Sequence, residues 1–267
     1  MLQCLALATI WNAMFSLKKS ITTLAVVSSL CCFARASSTE ADKISPDVAL
    51  EKLVRGNRDF VAGTPRHPDQ EVTRRAALAK GQHPFAIVLT CADSRVSPEI
   101  YFDQGLGDLF VLRNAGNILD EHIIGSIEYA VEHLGSRLLI VVGHSQCGAV
   151  AAAVAGGHAP GHIQSIVDAI EPAVLAVAHE AGDKIDNVVR TNARFVAFRL
   201  AKTGPILAKA VSSGELRVVA ARYDLETGKI ELLDMPTIAT SAGVTTSAKA
   251  PAAHATSGEV KPAATGH

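Results

Sequence analysis

Two short stretches of this chain carry residue types that could hold a soft metal ion: Cys91 opens Cys91-Ala92-Asp93-Ser94-Arg95, and His144 and Cys147 lie in Gly143-His144-Ser145-Gln146-Cys147-Gly148. Two thiolates and one imidazole favour zinc over hard cations, and the closed d shell of zinc suits it to Lewis-acid rather than redox work. Three protein ligands leave one tetrahedral position open, as in catalytic zinc sites, and water bound there ionises far more easily than in bulk. Asp93 and Arg95 follow Cys91 at a spacing that lets an irregular turn set the carboxylate over the metal and the guanidinium against it in a two-pronged bond. The carboxylate would then accept a hydrogen bond from zinc hydroxide and aim its lone pair at a substrate. His-x-x-Cys alone is a common chance pattern, whereas its combination with Cys-x-Asp-x-Arg, each at the end of a buried strand, is specific. The same residues admit three other readings: a Cys91–Cys147 disulfide, Asp93 and Arg95 as a simple loop staple, and Asp93 itself closing the metal site when its pair breaks.

The elements that must position these residues read as alternating strands and helices. Residues 46–63 carry Leu50, Leu53, Val54 and Phe60 at helical steps, and a second short helix is expected over 69–80. Phe85-Ala86-Ile87-Val88-Leu89-Thr90 is a continuous apolar run, the pattern of a strand covered on both faces of a parallel sheet, and Cys91 ends it. A second strand is expected at 109–112, a helix at 121–134 and a third strand at 137–142, with His144 just beyond. Strand, helix and strand at this spacing make a parallel crossover, so Cys91 and the His144–Cys147 turn reach the same sheet edge, where ligands bind in open α/β sheets. A helix over 148–154 would bring free N–H groups to Cys147. Helices at 163–180, 187–199 and 205–211, a strand at 216–221 and an antiparallel edge strand at 230–233 complete the expectation. The fold class is α/β, three-layered, with a central mixed, mostly parallel sheet and N-terminal helical arms.

The ends read differently. Lys18 and Lys19 precede an apolar run of about fourteen residues, shorter than the roughly twenty that span a bilayer, and Ala34-Arg35-Ala36 suits a signal peptidase. We therefore expect a signal peptide over 1–36, with Met14 as a candidate start, a catalytic domain over 37–235 and a low-complexity tail over 236–267 rich in Ala, Thr, Ser, Gly and Pro. Export to the periplasm or outside the cell follows, with no stable membrane insertion after cleavage. Cleavage would remove Cys4, Cys31 and Cys32 together with Lys18, Lys19 and Arg35, leaving Cys91 and Cys147 as the remaining cysteines and 22 basic against 26 acidic residues. With neither a basic run nor an aromatic ladder, nucleic acid is not an expected partner.

Cys91-Ala92-Asp93-Ser94-Arg95, Arg113-Asn114-Ala115-Gly116-Asn117, Gly125-Ser126-Ile127-Glu128-Tyr129-Ala130 and Gly143-His144-Ser145-Gln146-Cys147-Gly148 together resemble the signature blocks of the beta-class carbonic anhydrases. The resemblance covers about residues 48–233, including Tyr223-Asp224-Leu225-Glu226-Thr227-Gly228. It implies reversible hydration of carbon dioxide to bicarbonate and a proton by zinc-bound hydroxide, one zinc per chain held by Cys91, His144 and Cys147, and Asp93 with Arg95 as the orienting pair. A homodimer or homotetramer is implied, with the N-terminal helices embracing the partner. Gln104, in Tyr101-Phe102-Asp103-Gln104-Gly105, matches a glutamine that donates to substrate or bicarbonate from the neighbouring chain in the open-site branch of the family.

Smaller expectations accompany these. Gly105 and Gly116 read as turn residues; Ser145 is a candidate to bond a ligand thiolate or cap the next helix, and Ser94 to do the same near Cys91; Glu128 and Tyr129 are candidates for the pocket or the interface. His122, His133, His158, His162 and His179 are candidate proton carriers, each better read as an ordinary solvated or core histidine. The alternative functions are hydrolysis of carbonyl sulfide or carbon disulfide on the same fold, and a non-catalytic zinc- or bicarbonate-binding module.

Overall fold

The structure, a computed structural model, describes residues 44–235. The signal expected over 1–36 and the tail expected over 236–267 lie outside the described residues.

Pro46–Val61 forms α1, started by Ser45, whose hydroxyl accepts from Val48 N–H, and by Pro46 in the first turn. Then come α2 (Val72–Leu78), β1 (Ala86–Cys91), α3 (Pro98–Tyr101), β2 (Leu109–Asn114), a 3-10 turn (Ala115–Asn117) and α4 (Glu121–Glu132). The chain continues through β3 (Leu138–His144), α5 (Gly148–Ala155), α6 (Ile163–Ala176), α7 (Lys184–Lys202), α8 (Ile206–Ser212), β4 (Arg217–Tyr223) and β5 (Ile230–Leu233).

One five-stranded sheet runs in the order β2-β1-β3-β4-β5, parallel except for the antiparallel β5. The two central strands β1 and β3 are buried at every residue, as their unbroken apolar runs predict. Alternate side chains serve opposite faces: Ala86, Val88, Leu138 and Ile140 pack with α1, α5 and α6, while Ile87, Leu89, Leu139 and Val141 pack with α4, α8 and most of α7. Covering both faces gives the three-layer α/β arrangement expected from sequence. The register pairs Cys91 with Asn114 and His144 with Tyr223, so the ends of β1 to β4 stand level along one edge.

Differences from the sequence reading have local causes. The helix expected over 69–80 is confined to Val72–Leu78, because Asp69 adopts φ 57° and the preceding loop is held by the Asp103 carboxylate, which accepts from Arg66 and His67 N–H at 2.8 Å each. Helix α7 starts earlier than expected because Asp183 caps it by accepting from Ile185 and Asp186. Strand β3 continues through His144 rather than stopping before it. In agreement with the sequence reading, the arm α1 packs on the core: Ala49, Leu50 and Leu53 are buried, and Asn57 donates to Tyr101 and Gly228 carbonyls and accepts from Ile230 N–H. Among the described residues, no helix is long and apolar enough to cross a membrane.

Candidate active site

Strand pairing and one strained turn bring the three soft ligands together. Cys91 ends β1, His144 ends β3, and between His144 and Cys147 the turn passes through Gln146 at φ 53°, a left-handed conformation that reverses the chain and returns Cys147 toward His144. The ligand atoms of Cys91, His144 and Cys147 all lie within 4.8 Å of one another, and all three residues are buried. The two sulfurs are 4.0 Å apart. That is close to the ~3.8 Å separating two thiolates on one tetrahedral zinc with bonds near 2.3 Å, and far longer than the ~2.05 Å of a disulfide. Both cysteines are free thiols, so the disulfide reading fails.

The imidazole is aimed by its other nitrogen. Nδ1 of His144 lies 2.9 Å from the Ser145 carbonyl. A carbonyl can only accept, so Nδ1 carries the hydrogen and Nε2 keeps its lone pair. That Nε2 is buried with no hydrogen-bond partner. A buried, unsatisfied lone pair beside two buried sulfurs is costly alone and is accounted for by a cation among them, so the donor set fits zinc.

Thiolate character is built into the surroundings. The Cys91 thiol is lowered to about 4, chiefly because the Cys147 thiol donates to it, with help from the Gly116 and Asp93 N–H groups and against the opposing effect of burial. Cys147 is pushed up in turn, since it holds the shared proton and burial opposes its ionisation. The N–H groups of Ala149 and Val150, in the first turn of α5, favour the Cys147 thiolate as the helix position predicts. Gly116 N–H donates to Cys91 Sγ at 3.4 Å. Gly116 is thus a turn residue, at φ 74°, as its sequence context suggests, and also a direct backbone contact of a ligand sulfur.

Asp93 and Arg95 form the expected pair. Arg95 Nε donates to Asp93 Oδ1 at 2.9 Å and Nη2 to Oδ2 at 2.7 Å, while the Arg95 backbone N–H donates to Oδ1 at 3.0 Å. These bonds hold the Asp93 carboxyl well below the usual carboxylate range. Asp93 Oδ2 lies 3.9 Å from His144 Nε2, which sets the carboxylate beside the open side of the ligand cluster. Arg95 also reaches the Gln146 carbonyl at 3.5 Å, linking the two ligand loops.

Gln104 is not joined to this cluster within the chain. It is buried, donates through Nε2 to the Phe102 carbonyl at 2.7 Å, and leaves Oε1 without a partner. Ser145 neither bonds a thiolate nor caps α5; its Oγ accepts from Leu225 N–H at 2.9 Å and ties the ligand turn to the β4–β5 hairpin. Tyr129 is exposed beside His133, with ring centroids 5.1 Å apart, and His122, His133, His158, His162 and His179 are all exposed. Sequence reasoning missed Arg113 as an individual group: from β2 it donates to the carbonyls of Cys91 at 3.0 Å and Asp93 at 2.6 Å, clamping the loop between them. Its place in an Arg-Asn-Ala-Gly-Asn block was the available signal.

Known proteins match this arrangement. A family model described as "Carbonic anhydrase" matches residues 86–230. Carbonic anhydrase 2 of Mycobacterium tuberculosis is 41% identical over 194 residues, covering 71% of this chain and 94% of that protein. The carbonic anhydrase of Pseudomonas aeruginosa is 35% identical over 66% of this chain and 87% of its own length. Among solved structures, a tetrameric beta-carbonic anhydrase of Sordaria macrospora superposes with a TM-score of 0.58 at 26% identity, covering 70% of this chain and 95% of that one. The Coccomyxa beta-carbonic anhydrase gives 0.56 at 28% identity, over 69% and 86% respectively. With these matches and its Cys-His-Cys cluster, the chain belongs to the beta-class carbonic anhydrase family.

Proposed function

We propose that Cys91, His144 and Cys147 hold one zinc ion and that the chain hydrates carbon dioxide reversibly to bicarbonate and a proton. The observation that carries this reading is the unpartnered His144 Nε2 converging with two buried sulfurs beside the Asp93 carboxylate. Zinc held by these three residues would supply Lewis acidity, making a water ionise far more easily than in bulk. Asp93 remains an acceptor across the working pH range because Arg95 keeps it ionised, so it orients the nucleophile's hydrogen away from carbon dioxide. Arg95 holds the carboxylate plane, and Arg113 holds the backbone that bears Asp93. Gln104 is assigned, from the sequence resemblance alone, to donate to substrate or bicarbonate in a dimer or tetramer; the assembly itself is supported by the description of a structural relative as tetrameric. Export through the 1–36 signal is part of the same reading and rests on sequence alone.

The test is initial-rate hydration of carbon dioxide by purified protein, with zinc content measured in parallel, beside hydrolysis of carbon disulfide. Zinc-dependent hydration exceeding the carbon disulfide rate supports the proposal. A higher rate on carbon disulfide would replace the substrate, and zinc-loaded protein without hydration between pH 7 and 9 would leave a binding module.

A further inference from the structure

Asn192 sits on α7, buried, far from the metal cluster in sequence. Its side-chain Nδ2 donates to the Gly116 carbonyl at 2.9 Å, across a sequence separation of 76 residues. Gly116 is the residue whose N–H donates to Cys91 Sγ. Its backbone is left-handed, and a Cβ there would come within 2.7 Å of Ile170 Cδ1 and 3.3 Å of Ala149 Cβ, so only glycine fits without strain. A glycine also costs the most conformational entropy to hold in one state. Nothing in its own side chain can hold the N–H on the sulfur. Asn192 secures the carbonyl on one side of that residue, and the N–H on the other side meets the thiolate.

We infer that Asn192 is a positioning residue for the Cys91 ligand: by fixing Gly116 it keeps an N–H donor on the thiolate and so sets how much charge that sulfur gives the metal. Two thiolates together cancel the charge of a divalent ion. A donor on one of them withdraws electron density and leaves the metal more electrophilic, the outer-partner effect seen when groups behind a metal ligand are changed. The inference rests on the zinc reading above.

The test replaces zinc with spectroscopic metals in the full-length protein. In wild-type protein loaded with cadmium-113, the Gly116 amide proton should show scalar coupling to the metal through the N–H···S bond. In Asn192→Leu, which keeps bulk but removes the donor, that coupling should be lost. The thiolate-to-metal charge-transfer band of the cobalt form should move to longer wavelength, and zinc affinity by chelator competition should fall about tenfold. Asn57→Leu is the comparison, because Asn57 is equally enclosed but bonds Tyr101, Gly228 and Ile230 instead. It should lower the melting temperature without moving the band. Metal-loaded wild type lacking the Gly116 coupling, an Asn192→Leu band that superimposes on wild type, or the same shift in Asn57→Leu would each overturn the inference while leaving the zinc reading intact. Wild-type protein that loads no metal at the three ligands would overturn both. Should Asn192→Leu fail to fold, Asn192→Ser takes its place in the same three measurements, and absence of the wild-type cadmium coupling would still overturn the inference.

Discussion

Asp93 Oδ2 stands 3.9 Å from His144 Nε2 while both Asp93 oxygens are engaged by Arg95. The carboxylate therefore lies beside the three candidate ligands, with both of its oxygens engaged in an ion pair. Whether it acts as an orienting acceptor or as a fourth ligand depends on that pair, and the two roles separate by mutation. In Asp93→Asn the ligand set is unchanged, so zinc content should match wild type while carbon dioxide turnover falls about a hundredfold. Loss of zinc in step with activity would show Asp93 to be a ligand.

Removing Arg95 tests the same pair from its other side. Because Arg95 lowers the Asp93 pKa, the pair's contribution is complete above the ordinary carboxyl value of about 3.9 and fades only as pH falls through the lowered one. In Arg95→Ala, Asp93 should return toward the ordinary value, so the acid limb of activity should move to higher pH, while the wild-type advantage in melting temperature, complete above about pH 3.9, should narrow as pH falls below it. Turnover should drop about ten- to a hundredfold, as for other partners behind a metal site. A pH titration of activity and of melting temperature checks both; superimposable acid limbs would mean Arg95 does not govern Asp93.

The ligand charges set the alkaline side. Two thiolates neutralise a divalent ion more fully than three neutral imidazoles do, so the nucleophile should form at higher pH than in a three-histidine site. The rate at fixed carbon dioxide should climb from pH 6.5 to 9. A flat or falling profile would contradict the assignment of both sulfurs as charged ligands.

Chelation gives a further outcome. The Cys91 and Cys147 sulfurs lie 4.0 Å apart and both are free, so once chelation takes away a shared ion, side-chain rotation that closes the gap by about 2 Å would bring them to bonding distance. Air should then oxidise the pair to a disulfide, with oxygen taking the two electrons. Zinc should restore activity only after a reductant, as followed by thiol titration. Full recovery with zinc alone would argue that the sulfurs cannot meet.

Local pattern was enough for the central strands: the apolar runs ending at Cys91 and near His144 are buried throughout, and the α4 crossover makes β2 and β3 parallel, with β1 lying between them and parallel to both. The ligand cluster was legible because Cys91 and His144 end buried strands and Cys147 follows three residues on, at the start of α5. Less visible were interactions without periodicity. Arg113 meets the Cys91 and Asp93 carbonyls only because β2 lies against β1, and Asn192 meets Gly116 only after α7 packs. The shortened α2 depends on Asp103 holding a distant loop, which no helical pattern encodes. Ser145 could be named from sequence, but its partner Leu225 comes from the far hairpin.

The most direct test of the account is an anomalous-scattering structure at the zinc edge of the native, zinc-replete protein. It should show one zinc per chain, with two sulfurs at about 2.3 Å from Cys91 and Cys147 and one nitrogen at about 2.0–2.1 Å from His144 Nε2. Absence of metal at those three side chains in fully loaded protein would contradict it.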